Sequence, residues 1–557
     1  MQRFGKTALV FLTFVIGLAV AGGIGYLLVV LYGADDQPAD IEWASTKAPT
    51  PSPPGPDADG SCWHRDFGFG STVCVCNSTF CNALPAVTAA ASGSALVYTS
   101  SKAGLRFQRQ ELQFKQAGNG GGQILTVDRK TTFQKIHGFG GAFTDAAGEM
   151  ILSLPEAAQD LLLRSYFSAD GLEYNMGRLP IGGSDFSNRQ YSYDDDNGED
   201  TTLEHFSLQK EDRIYKIPMA KRAKELMPET SGDLHIYSTV WSPPVWMKTS
   251  NKFSGFGFLK KEHYQTYADY YVKFLEAYAA EGVDIHAVST GNEPLNGVVP
   301  FKHFNSLGWT PETMHVWIRD HFGPTIRGSK FKDVKIVAHD DQRIFLPWMM
   351  ELVLADNKTA DYIDIIAYHW YLNFITPGAL LDAVHKDYPD KPLINTEACN
   401  GDKPWDFTRV QLGSWTRGEY YLGDIVGVMN HWTAGWIDWN LALNLQGGPT
   451  WAKNWVDAPI IVDASKGEFY LNPTFYALAH VSKFVRRDSV RVELHHSGGG
   501  LLEAKVDSIA FERPDGALVV VLINKHNSEH SVSIQEGDRG QVDVHVPARS
   551  FVTVIYW

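Results

Sequence analysis

The stretch Ile285-His286-Ala287-Val288-Ser289-Thr290-Gly291-Asn292-Glu293-Pro294 opens on small and β-branched residues and closes on a glycine, an amide and a carboxylate. A strand buried on both faces has this composition, and the polar close marks where it leaves the sheet and becomes loop. Just upstream, Lys261 to Ala280 carries its aromatic and aliphatic residues at helical spacing and reads as an amphipathic helix. The unit recurs. Working outward gives eight such runs: Ile136 to Gly141, Tyr174 to Ile181, Leu234 to Trp241, Ile285 to Thr290, Val334 to Ala338, Ile363 to Tyr368, Pro392 to Thr396 and Gly435 to Trp439. Eight strands alternating with helices predict an α/β fold, a closed (β/α)₈ TIM barrel over residues 134–440 and 469–488.

The chain has 557 residues, too many for one core of ordinary size, so further domains are expected on either side. After residue 489 the pattern changes to period two, as in Ala517 to Ile523 and Ser550 to Tyr556, which predicts a β-sandwich. Residues 86–133 are strand-like but too few to close a sheet, so they are expected to join residues 489–557 in one discontinuous sandwich domain. Residues 34–60, with Pro49-Thr50-Pro51-Ser52-Pro53-Pro54, read as an extended linker with nothing to bury, and folded structure is expected from Ser61.

The first 33 residues carry Arg3 and Lys6 ahead of an uncharged apolar run from Thr7 to Tyr32. Two readings fit: a signal peptide cut near Ala19-Val20-Ala21, or a signal-anchor transmembrane helix over residues 7–32. With Asp35-Asp36 on the far side, either puts the bulk of the chain in the lumen of the secretory pathway. Cys62, Cys74, Cys76 and Cys81 fall close together, as a zinc cluster or two disulfides would require. An oxidising lumen and a Cys-x-Cys step unsuited to zinc favour disulfides, with Cys62–Cys74 and Cys76–Cys81 expected. Asn77-Ser78-Thr79 and Asn357-Lys358-Thr359 are glycosylation sequons. Cys399 is left over, with nothing beside it to activate a thiolate.

A net charge of −15 and the lack of a Lys/Arg cluster argue against nucleic acid as a partner. With a pI near 5.7, the negative charge shrinks in an acidic organelle, easing approach to an anionic lipid membrane surface. His495-His496 and the other histidines show no ligand spacing, so no metal and no cofactor is expected.

At the C-terminal ends of barrel strands, polar residues face the active site. Glu293 follows the fourth run and Glu397, in Ile394-Asn395-Thr396-Glu397-Ala398, follows the seventh. Two carboxyls roughly 5 Å apart are what double-displacement glycoside cleavage requires: one attacks the anomeric carbon, the other donates a proton. Asn292, beside the acid/base, is placed to bond the sugar 2-hydroxyl.

These motifs, with Gly138-Phe139-Gly140-Gly141-Ala142-Phe143-Thr144-Asp145 and Gly435-Trp436-Ile437-Asp438-Trp439-Asn440, resemble the glucosylceramidases of glycoside hydrolase family 30. The likeness runs from about Cys62 to Trp557 and includes Asp457 to Asp463, which implies a small disulfide-bonded β-sheet domain from residues 61–85 and 441–468. It implies Glu397 as nucleophile, Glu293 as acid/base, Asp185 with Trp439 on glucose hydroxyls and Trp241 as a further sugar contact. Arg178 is expected to orient Glu397 by charge, and His369 and Tyr371 by hydrogen bonds. The implied reaction is hydrolysis of glucosylceramide to glucose and ceramide, at acidic pH, with a saposin-like activator, in the lysosome or outside the cell. Alternatives are another β-glycoside substrate (a xyloside, a galactosyl lipid or a β-1,6-glucan) and a non-catalytic lipid-binding or trafficking protein. The loop Leu295 to Phe304, with Lys302 where the family has an aromatic residue, departs from the pattern at the aglycone side.

Overall fold

The computed structural model describes residues 55–56, 62–118, 122–196, 198–300, 303–498 and 506–557. The leader or anchor over residues 1–33, most of the linker over residues 34–60, and Lys302 lie outside the described residues. No helix among the described residues is long and apolar enough to cross a membrane.

Eight parallel strands close the barrel. They are β1 (Gly138–Ala142), β2 (Met176–Ile181), β3 (His235–Val240), β4 (Ala287–Ser289), β5 (Lys335–Gln342), β6 (Ile365–His369), β7 (Leu393–Glu397) and β8 (Thr433–Asn440). Each matches one predicted run. The interior is filled by Met176, Tyr237, Ala287, Val337, Ile365, Ala367, Ile394, Ala434 and Ile437, a packed core with no channel through it. Where β1 meets β2, a Cβ at Gly140 would stand 2.0 Å from the Met176 carbonyl oxygen, so only glycine fits. Outside, the helix Tyr264–Ala280 buries Tyr267, Tyr270, Tyr271, Phe274 and Tyr278 against the barrel and its neighbouring helices. Its expected first turn, Lys261–His263, is a 3₁₀ turn leading into it.

β5 carries a bulge between His339 and Asp341, with His339 at φ 76° and Asp340 at φ 51°. An extra residue at a strand end re-aims the side chains around it, and this bulge turns Asp340 toward the barrel mouth. At the opposite end, Arg487 staples three strand starts, donating to the carbonyls of His137 (3.1 Å), Asp233 (2.8 Å) and Asn175 (2.8 Å). Beside it the rings of His235 and His286 stack with centroids 3.7 Å apart.

The sandwich strands run in the order Gly540–Val546, His530–Glu536, Gln123–Lys135, Val490–Gly498, Asp507–Glu512, Leu518–Asn524, Ser550–Tyr556, Ser94–Ser101, Gln108–Gln113. Segments from before and after the barrel are thus interleaved, as the strand count required. In the central strand Leu518–Asn524, Leu518, Val520 and Leu522 point into the sandwich, while Val519, Val521 and Ile523 join the core shared with the barrel. That alternation fixes the register, because a one-residue slip would exchange the two faces.

A third, six-stranded sheet joins Gly55–Pro56, Trp63–Asp66 and Thr72–Cys76 to Glu468–Leu471, Ile460–Asp463 and Ala442–Asn444. Pairing therefore begins inside the expected linker, since Gly55 and Pro56 lie opposite His64 and Trp63, and it continues past residue 468 to Leu471. Cys62–Cys74 and Cys76–Cys81 are disulfide-bonded. Arg65 holds Glu468 through both terminal nitrogens (2.6 and 3.1 Å), joining the two chain segments of this sheet.

Candidate active site

Glu397 is the last residue of β7 and is buried. Glu293 lies four residues past β4, in the left-handed region at φ 43°. The chain is drawn there by neighbouring strands: Asn292 N–H donates to Val240 O and Glu293 N–H to Asp340 O, both at 2.9 Å. A left-handed non-glycine residue is costly and persists only where its surroundings hold it. The result is that carboxylate oxygens of Glu293 and Glu397 and a ring nitrogen of His369 all lie within 4.8 Å of one another.

Around this pair the charges are arranged in a tight net. Arg178 donates to Glu397 Oε2 through Nη1, and through Nη2 to Asn292 Oδ1 (2.7 Å) and Asp340 Oδ2 (3.2 Å). His369 directs Nδ1 at Glu293 Oε1 (3.1 Å) and Nε2 at Asp340 Oδ1 (3.2 Å). Tyr371 donates to Glu397 Oε1 at 2.5 Å, and Thr396 to Asp340 Oδ1 at 2.5 Å. Burial disfavours charge on His369, yet Glu397, Asp340 and Glu293 outweigh it and raise its pKa to about 10. Burial likewise opposes charge on Asp340, but Arg178, His369 and Thr396 hold it far below the usual carboxylate range. Two cations, Arg178 and a His369 held in its charged form, therefore face three carboxylates, and this inner group is electroneutral when Glu293 and Glu397 share one proton. That is the ionisation state an acid and a nucleophile need side by side.

Over the net lies an aromatic shelf. Trp241 and Trp439 stack with centroids 5.2 Å apart, and the Arg178 guanidinium carbon sits 4.9 and 5.4 Å from their ring centres. Asp185, in the loop after β2, accepts from Asn454 Nδ2 at 3.0 Å. Burial, and next the charge of Glu397, push its carboxyl up to about 7. A carboxyl beside aromatic faces can hydrogen-bond vicinal sugar hydroxyls. Glu293, His369 and Glu397 are also residue types that ligate metals, but Arg178 already supplies positive charge to Glu397 and His369 is itself cationic, which leaves a metal ion little to neutralise.

Residues 136–485 match the glycosyl hydrolase family 30 TIM-barrel domain, and residues 488–554 the glycosyl hydrolase family 30 beta sandwich domain. The chain belongs to glycosyl hydrolase family 30. Among relatives, this family 30 chain is 41% identical over 500 residues to the lysosomal acid glucosylceramidase of Mus musculus, covering 89% of this chain and 95% of that one. It is 40% identical over 502 residues to the putative glucosylceramidase 4 of Caenorhabditis elegans, covering 88% and 94%. Among solved structures, SrfJ from Salmonella typhimurium superposes with a TM-score of 0.75 at 26% identity, over 83% of this chain and 99% of that one.

In this family 30 enzyme the predicted residues Glu293, Glu397, Arg178, Asn292, His369 and Tyr371 are joined by contacts, and Trp241, Trp439 and Asp185 stand around them. One expectation is corrected in detail. His369 bonds Glu293 and Asp340 rather than Glu397, from whose Oε2 its Nδ1 stands 4.0 Å away. Cys399 is buried 3.5 Å from the Tyr371 hydroxyl, and burial raises its thiol well above the ordinary value, so it packs rather than reacts. Sequence reasoning missed Asp340, Asp341, Gln342, Asn296 and Asn454. The Asp340-Asp341 pair follows the fifth run, so the strand-end rule that found Glu293 also covers it; no comparable signal marks Asn454.

Proposed function

We propose that this chain is a retaining β-glucosidase that hydrolyses glucosylceramide to glucose and ceramide, with Glu397 as nucleophile and Glu293 as acid/base. The observation that carries the reading is the separation of those carboxylates, within 4.8 Å, which leaves room for one anomeric carbon and none for a water between them. A Glu397 oxygen attacks C1 while the bond to the ceramide oxygen breaks and Glu293 passes its proton to that oxygen. Water then attacks C1, the bond to Glu397 breaks, and Glu293 takes the water proton, so the sugar leaves with its β configuration and both groups are restored. Asn292, whose Oδ1 is held by Arg178, offers its amide N–H groups to the 2-hydroxyl; Asp185 and Asn454 take the outer hydroxyls, with Trp241 and Trp439 as the apolar wall.

The glucosylceramidase relatives support a glycolipid substrate, and a lipid has to be reached at a bilayer. Phe374, Ile375, Trp405 and Phe407, in the loops after β6 and β7, and Tyr420 leave large apolar surfaces exposed on this side of the barrel, a patch suited to the membrane interface. The disulfides fit an oxidising lumen, where Asn77 and Asn357 become glycosylated; an acidic lysosomal lumen and a saposin-like activator complete the proposal.

Product analysis tests it. Glu397→Gln should abolish turnover without lowering the melting temperature. Glu293→Ala should retain slow cleavage of an activated aryl glucoside, accelerated by azide with β-glucosyl azide as product; an α-azide would end the retaining assignment. Negligible cleavage of glucosylceramide beside galactosylceramide would end the substrate assignment. An activator is expected to raise turnover on vesicles and leave the soluble aryl glucoside unaffected.

A further inference from the structure

We infer that Asn296 is a positioning residue that clasps the acid/base carboxylate and sets how firmly it holds its proton. The inference rests on the assignment of Glu293 above. Asn296 lies in the 3₁₀ turn Pro294–Val298 that Glu293 begins, and its backbone N–H donates to Glu293 O at 2.8 Å. Its side-chain Nδ2 donates to Glu293 Oε2. One residue therefore grips both the main chain and the carboxylate of a residue held at a left-handed φ. The other oxygen, Oε1, accepts from Gln342 Nε2 at 2.7 Å and faces His369 Nδ1 at 3.1 Å.

An acid/base has to be held in place both protonated and ionised, and each donor aimed at its carboxylate favours the ionised form. His369 is held in its charged form by Glu397, Asp340 and Glu293, so its Nδ1 stays a donor toward Oε1. Gln342 can yield: its buried Oε1 has no partner among the described residues, so turning the amide over presents an acceptor to a protonated Glu293. Asn296 is half-buried, on the other oxygen, and its donation is the part of the clasp that a substitution removes without exposing a buried polar group. Among the described residues, the other charges near Glu293 include Glu397 on β7, Asp341 on β5, Asp185 after β2, and Asp340 and Arg178 acting through His369 and Glu397. All of them stay in place in the variants below.

The test is the pH dependence of kcat/KM for glucosylceramide in Asn296→Ala and Asn296→Asp, with melting temperatures. Loss of the donor in Asn296→Ala should move the alkaline limb up by about half to one pH unit, and the added negative charge in Asn296→Asp should move it further. kcat on glucosylceramide, whose leaving group needs the proton, should fall about tenfold in Asn296→Ala, while glycosylation by an aryl glucoside with a good leaving group stays within about twofold. An alkaline limb unmoved in both variants, with or without a fall in melting temperature, overturns the inference and leaves Asn296 as a turn residue. If Glu293→Ala also fails to give a β-azide, the assignment of Glu293 is what failed; if the azide forms and the limb stays put, only the role of Asn296 is lost.

Discussion

Tyr371 reaches Glu397 Oε1 from the side opposite Arg178, which donates to Oε2, so the nucleophile is held by one neutral and one charged donor. Replacing Tyr371 by Phe keeps the ring and deletes the neutral one. Because a donor to a carboxylate stabilises the charged form, its loss should raise the proton affinity of Glu397 and shift the acidic limb of kcat/KM to higher pH, with kcat down about tenfold. A pH–rate profile in which the acidic limb does not move would show that the hydroxyl is idle. Glu293 and Glu397 were legible because a carboxylate at the C-terminal end of a barrel strand has few other uses. Asp340 was not: in His339-Asp340-Asp341-Gln342 nothing in the letters says which carboxylate turns inward, and the answer depends on a bulge with two consecutive left-handed residues. Asn454 was hidden for a different reason, since it arrives 269 positions after Asp185 from a segment outside the strand–helix alternation.

At the scale of elements, the barrel depends on close approach as much as on apolar burial. Gly140→Ala puts a methyl 2.0 Å from the Met176 carbonyl oxygen and 2.4 Å from its carbonyl carbon, and this backbone cannot swing aside as a side chain would. We expect a loss of more than about 3 kcal/mol, or no soluble protein at all, read by chemical denaturation; a near-normal midpoint would mean that β1 and β2 can separate without cost. The eight strands were recoverable from composition because each is buried on both faces and bounded by polar residues. Their ends were less so. β5 runs to Gln342 instead of stopping at Ala338, since the polar residues that read as loop continue to pair with β6 through the bulge, as far as Gln342 opposite His369. The short strand Gly55–Pro56 was read as linker because its ordering comes from its partner, Trp63–Asp66, and not from any apolar pattern of its own.

For the whole molecule, the histidines at the floor of the barrel set a limit on acid tolerance. Burial, reinforced by Arg487, lowers His137 and His286 to about 4 and His235 to about 3. Asp488 opposes this at His137 and Asp364 at His286, while Lys135 and Lys335 add to it. The unfolded chain, with ordinary imidazoles, binds more protons than the folded one below about pH 6.5, so stability falls as the pH drops from there toward 4. After allowance for their partial solvent contact the cost is on the order of 1 kcal/mol per ring at pH 5. His235→Phe/His286→Phe should therefore lose less melting temperature than the parent between pH 7 and pH 5. Parallel curves for the two proteins would mean that the rings are already protonated in the fold.

The interleaved order of the sandwich has a consequence for biosynthesis. Ser550–Tyr556 must slot between Leu518–Asn524 and Ser94–Ser101, one neighbour made shortly before it and the other several hundred residues earlier. Until Ser550–Tyr556 has been made, both neighbours present open edges that can pair with the wrong partner. Deleting Ser550–Tyr556 would therefore leave two unpaired edges beside a barrel whose eight strands are all still present, an invitation to self-association.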